Sequence, residues 1–212
     1  MNKIYSKFLN LNLAKQEKIL GASIAEFADK GFDKASTNEI VKKAGISKGI
    51  LFHYFKNKKN LFIFVYDYAM ELCMNEFFKK VDEEERDIFI KLRQIVSFKL
   101  ELMYKYPMIF KFFEVALGEE CNEVKSEIEE RNKKLMESNY SKVFNNIDAS
   151  KFRDGLDGSR AMNIILWTFE GLSANELQKA KTTVSKRVDY EKVFGEMNIY
   201  IDIFKNSFYK LP

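Results

Sequence analysis

Between Ser36 and Lys59 the chain reads STNEIVKKAGISKGILFHYFKNKK, which sets a helix, a glycine turn, a second helix and a basic tail in direct succession. No other stretch constrains the fold as much. Ser36 and Glu39 have the spacing of a capping box, so a short helix is predicted to begin near Thr37. Ile40, Val41 and Ala44 form its buried side. Gly45 then supplies the positive backbone angle that a tight turn needs, and Ile46 plugs the turn into the core. Ser47 is a good N-cap for a next helix running to about Phe55. At about 100° per residue, Leu51 and Phe55 point one way with Lys48 and Phe52 at the edges, while Gly49, Ile50, His53 and Tyr54 point the other. The inward pair anchors this helix. The outward set serves no folding purpose and fits a helix whose N-terminal half enters a DNA major groove.

Charge follows the same division. Over residues 1–60, Lys and Arg outnumber Asp and Glu by 12 to 5, a net of +7, whereas the whole chain is +4 and residues 61–212 therefore sum to −3. Only the segment holding the helix-turn-helix is basic, as an electrostatic footprint for phosphates requires. A chain of 212 residues with 46% apolar content can bury a sizeable core in one large or two modest domains. Pro107 and Pro212 are its only prolines, which favours long uninterrupted helices. Cys73 and Cys121 form no CxxC pair and read as free core thiols in a reducing compartment, with a redox sensor as the alternative. No apolar run is long enough for a membrane span, and the start MNKIYSKFLNLNLAK is too polar for a signal peptide, so the expectation is a soluble, cytoplasmic protein. Lys3, Lys7 and Lys15 at that start belong either to an extension of the first helix or to an arm that touches DNA.

Helical periodicity predicts an all-α chain of about nine helices. The first runs from about Ala14 to Lys30, stopped by Gly31, and the two motif helices follow. Asn57 caps a long fourth helix that ends in the acidic run Asp82 to Glu85. A fifth spans about Asp87 to Tyr104 and is cut by Pro107, because the residue before proline avoids helical angles. Met108 to Leu117 is the sixth and Cys121 to about Phe144 the seventh. The stretch from Asn145 to Gly158 is a loop with a helical turn. The last two helices cover about Ser159 to Lys179 and Asp189 to Phe208.

The run FADKGFDKAST followed by NEIVKKAGISKGILFHYFKNKKNLF closely resembles the amino-terminal DNA-binding domain of TetR-family transcriptional regulators. The resemblance covers roughly residues 15 to 63 and includes Phe27, Gly31, Thr37, the Ala44–Gly45 turn, the aromatic cluster ending in Tyr54 and Phe55, and Lys58. It implies a three-helix helix-turn-helix domain over residues 1–60 and a larger helical ligand-binding and dimerisation domain over 61–212. It further implies that Thr37, Ser47, Lys48, Tyr54 and Lys58 contact phosphates of double-stranded DNA, where they set affinity and register. Gly49, Ile50 and His53 are the base-side candidates, Ile50 suiting a thymine methyl. A tyrosine is frequent in the family where Phe52 stands, so one hydroxyl contact is missing here. The implied mechanism is release from DNA by a small-molecule inducer held between the fourth and eighth helices, with Met103, Phe110, Phe113, Glu114, Trp167 and Glu170 as candidate pocket residues. Such a lining suits an apolar or cationic compound.

AMNIILWTFEGL, residues 161–172, is apolar nearly all round, and the final helix carries Val193, Met197, Tyr200 and Phe204 widened by Phe194, Ile201 and Phe208. Either this aromatic-rich chain has a thick core, or the last two helices pair with those of a second copy in the four-helix bundle of a C2 homodimer, the arrangement TetR-like proteins use. A dimer would place two recognition helices in successive major grooves of a pseudo-palindromic operator, about 34–36 Å apart.

The segment GISKG, residues 45–49, satisfies the GxSxG pattern of a hydrolase elbow, which needs a preceding strand and a histidine from a distant segment. Here a helix precedes it and the only histidine, His53, lies six residues on. No partner histidine or CxxC accompanies His53 for a metal, and no Gly-rich loop for a nucleotide occurs, so neither an enzyme nor a cofactor is expected. The reading is therefore a ligand-released repressor; the alternative is a helical small-molecule-binding or nucleoid-associated protein without operator control.

Overall fold

A computed structural model describes residues 5–182 and 189–210. Lys3 lies outside them. The described residues form ten α-helices and no strand: α1 Ser6–Leu9, α2 Leu13–Lys34, α3 Thr37–Ala44, α4 Lys48–Phe55, α5 Lys58–Phe78, α6 Ile88–Lys105, α7 Pro107–Leu117, α8 Lys125–Phe144, α9 Gly158–Thr182 and α10 Tyr190–Phe208. A single 3-10 turn, Ala149–Lys151, stands in the loop before α9. The extra helix relative to the sequence-based expectation is α1. It is neither an arm nor an extension of α2, because Asn12 caps α2 separately and Phe8 is fully buried.

The chain folds as two compact units. The first holds residues 1–80 and 101–140, the second residues 81–100 and 141–212. In the first unit, Phe8, Phe55 and Phe64 meet edge to face or tilted at ring-centroid separations of 5.0–5.2 Å, which fastens α1 and α4 to α5. Phe62 joins Phe27 of α2 at 4.9 Å and Phe112 of α7 at 5.3 Å. Offset and edge contacts of this kind add to the gain from apolar burial.

Gly31 interrupts α2 with φ +70 and ψ −177, the stop that the sequence predicts, and a last helical turn follows as far as Lys34. The Glu119 carboxylate holds that kink: it accepts from the Phe32 N–H at 2.8 Å and the Cys121 N–H at 3.1 Å. A side chain at position 31 would be strained by its backbone and would bring a Cβ to 3.1 Å from Glu119 Oε2. Because Glu119 engages Cys121, residues 121–124 form a turn, and α8 begins at Lys125 rather than at Cys121.

The second unit closes on a buried carboxylate. Asp87 Oδ1 accepts from the N–H groups of Phe89 at 2.9 Å and Ile90 at 3.2 Å, capping α6, and from the Tyr209 hydroxyl at 3.1 Å. Asp87 Oδ2 accepts from Lys151 Nζ at 2.9 Å. Burial opposes ionisation of Asp87, but these donors outweigh it and hold the carboxyl below its usual range. Tyr209 packs on Phe89 and Phe152, and its backbone bridges that of Phe152, so Tyr209, just past α10, is tied to the loop before α9.

Candidate nucleic-acid interface

The turn between α3 and α4 forms as its residues dictate. Gly45 is left-handed at φ +68, and the Ile46 N–H donates to Val41 O at 3.0 Å. Ser47 Oγ accepts the Ile50 N–H at 3.3 Å, and two residues past α4 Asn57 Oδ1 accepts the Asn60 N–H at 2.8 Å to start α5. Ser47 is thus a helix cap. The GISKG pattern is a turn between helices, with α3 before it and His53 on the helix that follows.

The capping box does not form. Ser36 sits at the N-cap of α3, yet its side chain makes no capping bond, and its N–H donates to Glu26 Oε1 at 3.1 Å. Glu26 is a buried carboxylate of α2 that also takes Lys43 Nζ at 3.4 Å, and it supplies from another helix what Glu39 was expected to supply locally.

On α4, Leu51 and Phe55 are completely buried, whereas Lys48, Gly49, Ile50 and His53 are exposed, Ile50 at 39%. Gly49 answers no internal crowding: a Cβ there would meet only Ser47 Oγ, at 3.9 Å. The Lys48 ammonium stands 5.8 Å from the Phe52 ring. Tyr54 departs from the outward set, because Phe8 of α1 meets its ring at 6.0 Å and leaves it half-buried. Thr37, at the first position of α3, is half-buried as well.

Lys58 is committed within the protein. Its ammonium donates to the carbonyls of Asp33 at 3.0 Å and Ala35 at 3.4 Å, at the end of α2, and lies 4.7 Å from the Phe32 ring. A cation at that end satisfies carbonyls that the helix leaves free.

The six pocket candidates fall in different places. Met103 is buried and Phe110, Phe113 and Glu114 are half-buried in the first unit, with Phe113 5.8 Å from both Phe110 and Tyr66. In the second unit Glu170 is exposed and Trp167 is 66% exposed, so neither is enclosed by its own protomer, and Glu170 is solvated rather than set among apolar neighbours. Sequence reasoning missed Tyr66. Its hydroxyl is buried without a hydrogen-bond partner, and burial, with the Asp67 charge adding to it against Arg131, pushes the phenol up to about 12. α5 is buried at every position from Leu61 to Tyr66, so no one-sided pattern marked it.

A two-helix reading motif with one apolar face in the core and one bare face outward, on the basic part of an all-helical chain, defines a helix-turn-helix protein. Residues 19–64 match the family model of bacterial regulatory proteins, tetR family. The chain is similar to two Bacillus subtilis proteins, the uncharacterized HTH-type transcriptional regulators YerO, 37% identical over 70 residues (33% of this chain, 24% of that one), and YvdT, 51% identical over 47 residues (22% and 24%). Each match spans about a quarter of the relative's length. The solved structure of SmeT, the repressor of the Stenotrophomonas maltophilia multidrug efflux pump SmeDEF, shares the fold with a TM-score of 0.65 at 18% identity, covering 93% of each chain. Residues 19–64 form a helix-turn-helix domain of the TetR family, and the remainder of the chain shares the fold of the solved structure. Among the described residues no helix is long and apolar enough to cross a membrane.

Proposed function

We propose that this protein is a sequence-specific DNA-binding transcriptional regulator, a ligand-released repressor that acts as a homodimer on a pseudo-palindromic operator. Residues 1–60 read the duplex and residues 61–212 bind the effector and dimerise. The observation that carries the reading is the bare face of α4, where Gly49, Ile50 and His53 are exposed on the basic segment while Leu51 and Phe55 hold the helix from behind. Glycine in a helix weakens it by roughly 0.5–1 kcal/mol relative to alanine. With open space at Gly49, that cost has an explanation outside the protein, in close approach to a duplex. Thr37, Ser47, Lys48, Tyr54 and Lys58 surround this face, with Lys58 acting through the end of α2.

The dimer reading rests on Ile164 and Trp167 of α9 and Ile199 and Ile203 of α10, exposed at 45%, 66%, 54% and 51%. Their opposite faces, with Ala161, Ile165, Phe169 and Ile201, already fill the core of the second unit. Large apolar side chains left outside a filled core mark an association surface, and two helices presenting them suit an isologous contact. For the effector, Met103, Phe110, Phe113 and Glu114 remain the lining, with Tyr66 as a hydrogen-bonding point, which suits an apolar or cationic ring compound.

Selection of bound duplexes from a random pool tests the proposal. It should return two inverted half-sites centred about one helical turn or a multiple of it apart. Retention of all sequences alike would indicate a nucleoid-type binder, and retention of none would remove the DNA reading.

A further inference from the structure

Three lysines follow the recognition helix in the segment KNKK, and the structure gives each a different fate. Lys58 is bonded to the carbonyls of Asp33 and Ala35. Lys59 pairs with Glu127 at 2.6 Å. The side chain of Lys56 is exposed and has no hydrogen bond or ion pair to any described residue.

Lys56 also has a backbone that lysine rarely adopts. Its φ is +64 and its ψ −49, making it the only described non-glycine residue with positive φ. The Asn57 N–H donates to Phe55 O at 2.8 Å, a bond two residues back across Lys56. Together these make a γ-turn of the positive-φ kind, a rare and strained conformation centred near φ +75 and ψ −65. Glycine would relieve the strain, since it has no Cβ to clash. A lysine held there, with its ammonium free, three residues after His53, calls for a reason outside the fold.

We propose that Lys56 is a DNA-phosphate contact, and that the γ-turn at the end of α4 is kept with a lysine, despite its strain, so that this cation stands beside the base-reading face. The inference rests on the DNA-binding reading above and extends it to a residue that the family resemblance does not single out. Division of labour among the three lysines follows: Lys58 fixes the reading domain's geometry, Lys59 ties α5 to α8, and Lys56 contributes charge to the duplex.

The test is fluorescence anisotropy of a labelled random-sequence duplex between about 50 and 200 mM NaCl, with melting curves of the same proteins. Lys56→Ala should lower the salt slope by about 0.9 per protomer and the affinity at 0.1 M salt by about eightfold per protomer, the counterion-release value of one phosphate contact. Lys56→Arg should keep the wild-type slope. Lys56→Gly should bind as weakly as the alanine variant but melt about 2–4 °C above wild type, because relief of the turn is felt only in stability. A Lys56→Ala protein with the wild-type slope and affinity overturns this inference while leaving the DNA reading intact. Wild-type protein that ignores the duplex overturns both.

Discussion

Replacing Asp87 should unfold the second unit more readily than any surface change, and the size of the effect follows from what the carboxylate holds. Asp87→Ala removes the cap of α6, worth about 1 kcal/mol. It leaves the buried Tyr209 hydroxyl without its acceptor, at roughly 1–3 kcal/mol. Lys151 is 42% exposed, so its pairing adds under about 1 kcal/mol. The expected loss is about 2–5 kcal/mol. Asp87→Asn keeps an oxygen for the cap and for Tyr209 but turns an amide NH2, a donor, toward Lys151, so that ion pair is lost. Because Lys151 is 42% exposed and can turn to solvent, the change should cost about 1 kcal/mol. Because Asp87 is depressed in the fold, its contribution is fully present above the unfolded carboxyl's value of about 3.9 and is lost as pH falls through the lower folded value. The acid side of the stability profile should therefore be shallower in the asparagine variant. Urea unfolding at fixed protein concentration, followed by fluorescence of the sole tryptophan, Trp167, reads the same unit. A loss below about 1 kcal/mol for Asp87→Ala would refute the reasoning, since a buried hub of four hydrogen bonds cannot be dispensable.

Two further outcomes separate structural from recognition roles. Lys58→Ala should lower the melting temperature by about 3–6 °C, because it frees two carbonyls at the end of α2, and should weaken duplex binding through that disturbance; an unchanged melting curve would disprove the capping role. Trp167→Glu combined with Ile203→Glu should give folded monomers by sedimentation where the wild type gives dimers, because both positions are exposed in the protomer; a dimeric double variant would move the interface elsewhere.

Short-range signals in the sequence were legible because they act between residues that the backbone already holds together. Gly45, Ser47 and Asn57 need only positions one to three residues away to make a turn or a cap, and each does so where its residue type predicts. Tyr106, before Pro107, is non-helical for the same local reason. What escaped was long-range. Glu26, ten residues before Ser36, takes the bond assigned to Glu39, and Lys58 reaches back to Asp33 and Ala35. No periodicity shows that Phe8 would lie against Tyr54 and half-bury it. Burial on α9 was ambiguous for a different reason: AMNIILWTFEGL is apolar on both faces, and only the fold tells Ile165 inside from Trp167 outside. The γ-turn at Lys56 lies at the limit of sequence reading, because lysine is an unusual residue for it.

His53 is the only histidine of the chain, so its imidazole gives one set of ring-proton NMR signals without need of a variant. Its ring is exposed on the face of α4 argued to meet DNA. Titrating the protein with a duplex recovered from the random pool should shift or broaden those signals in step with binding. Imidazole signals that stay in place while the duplex saturates the protein would contradict the account.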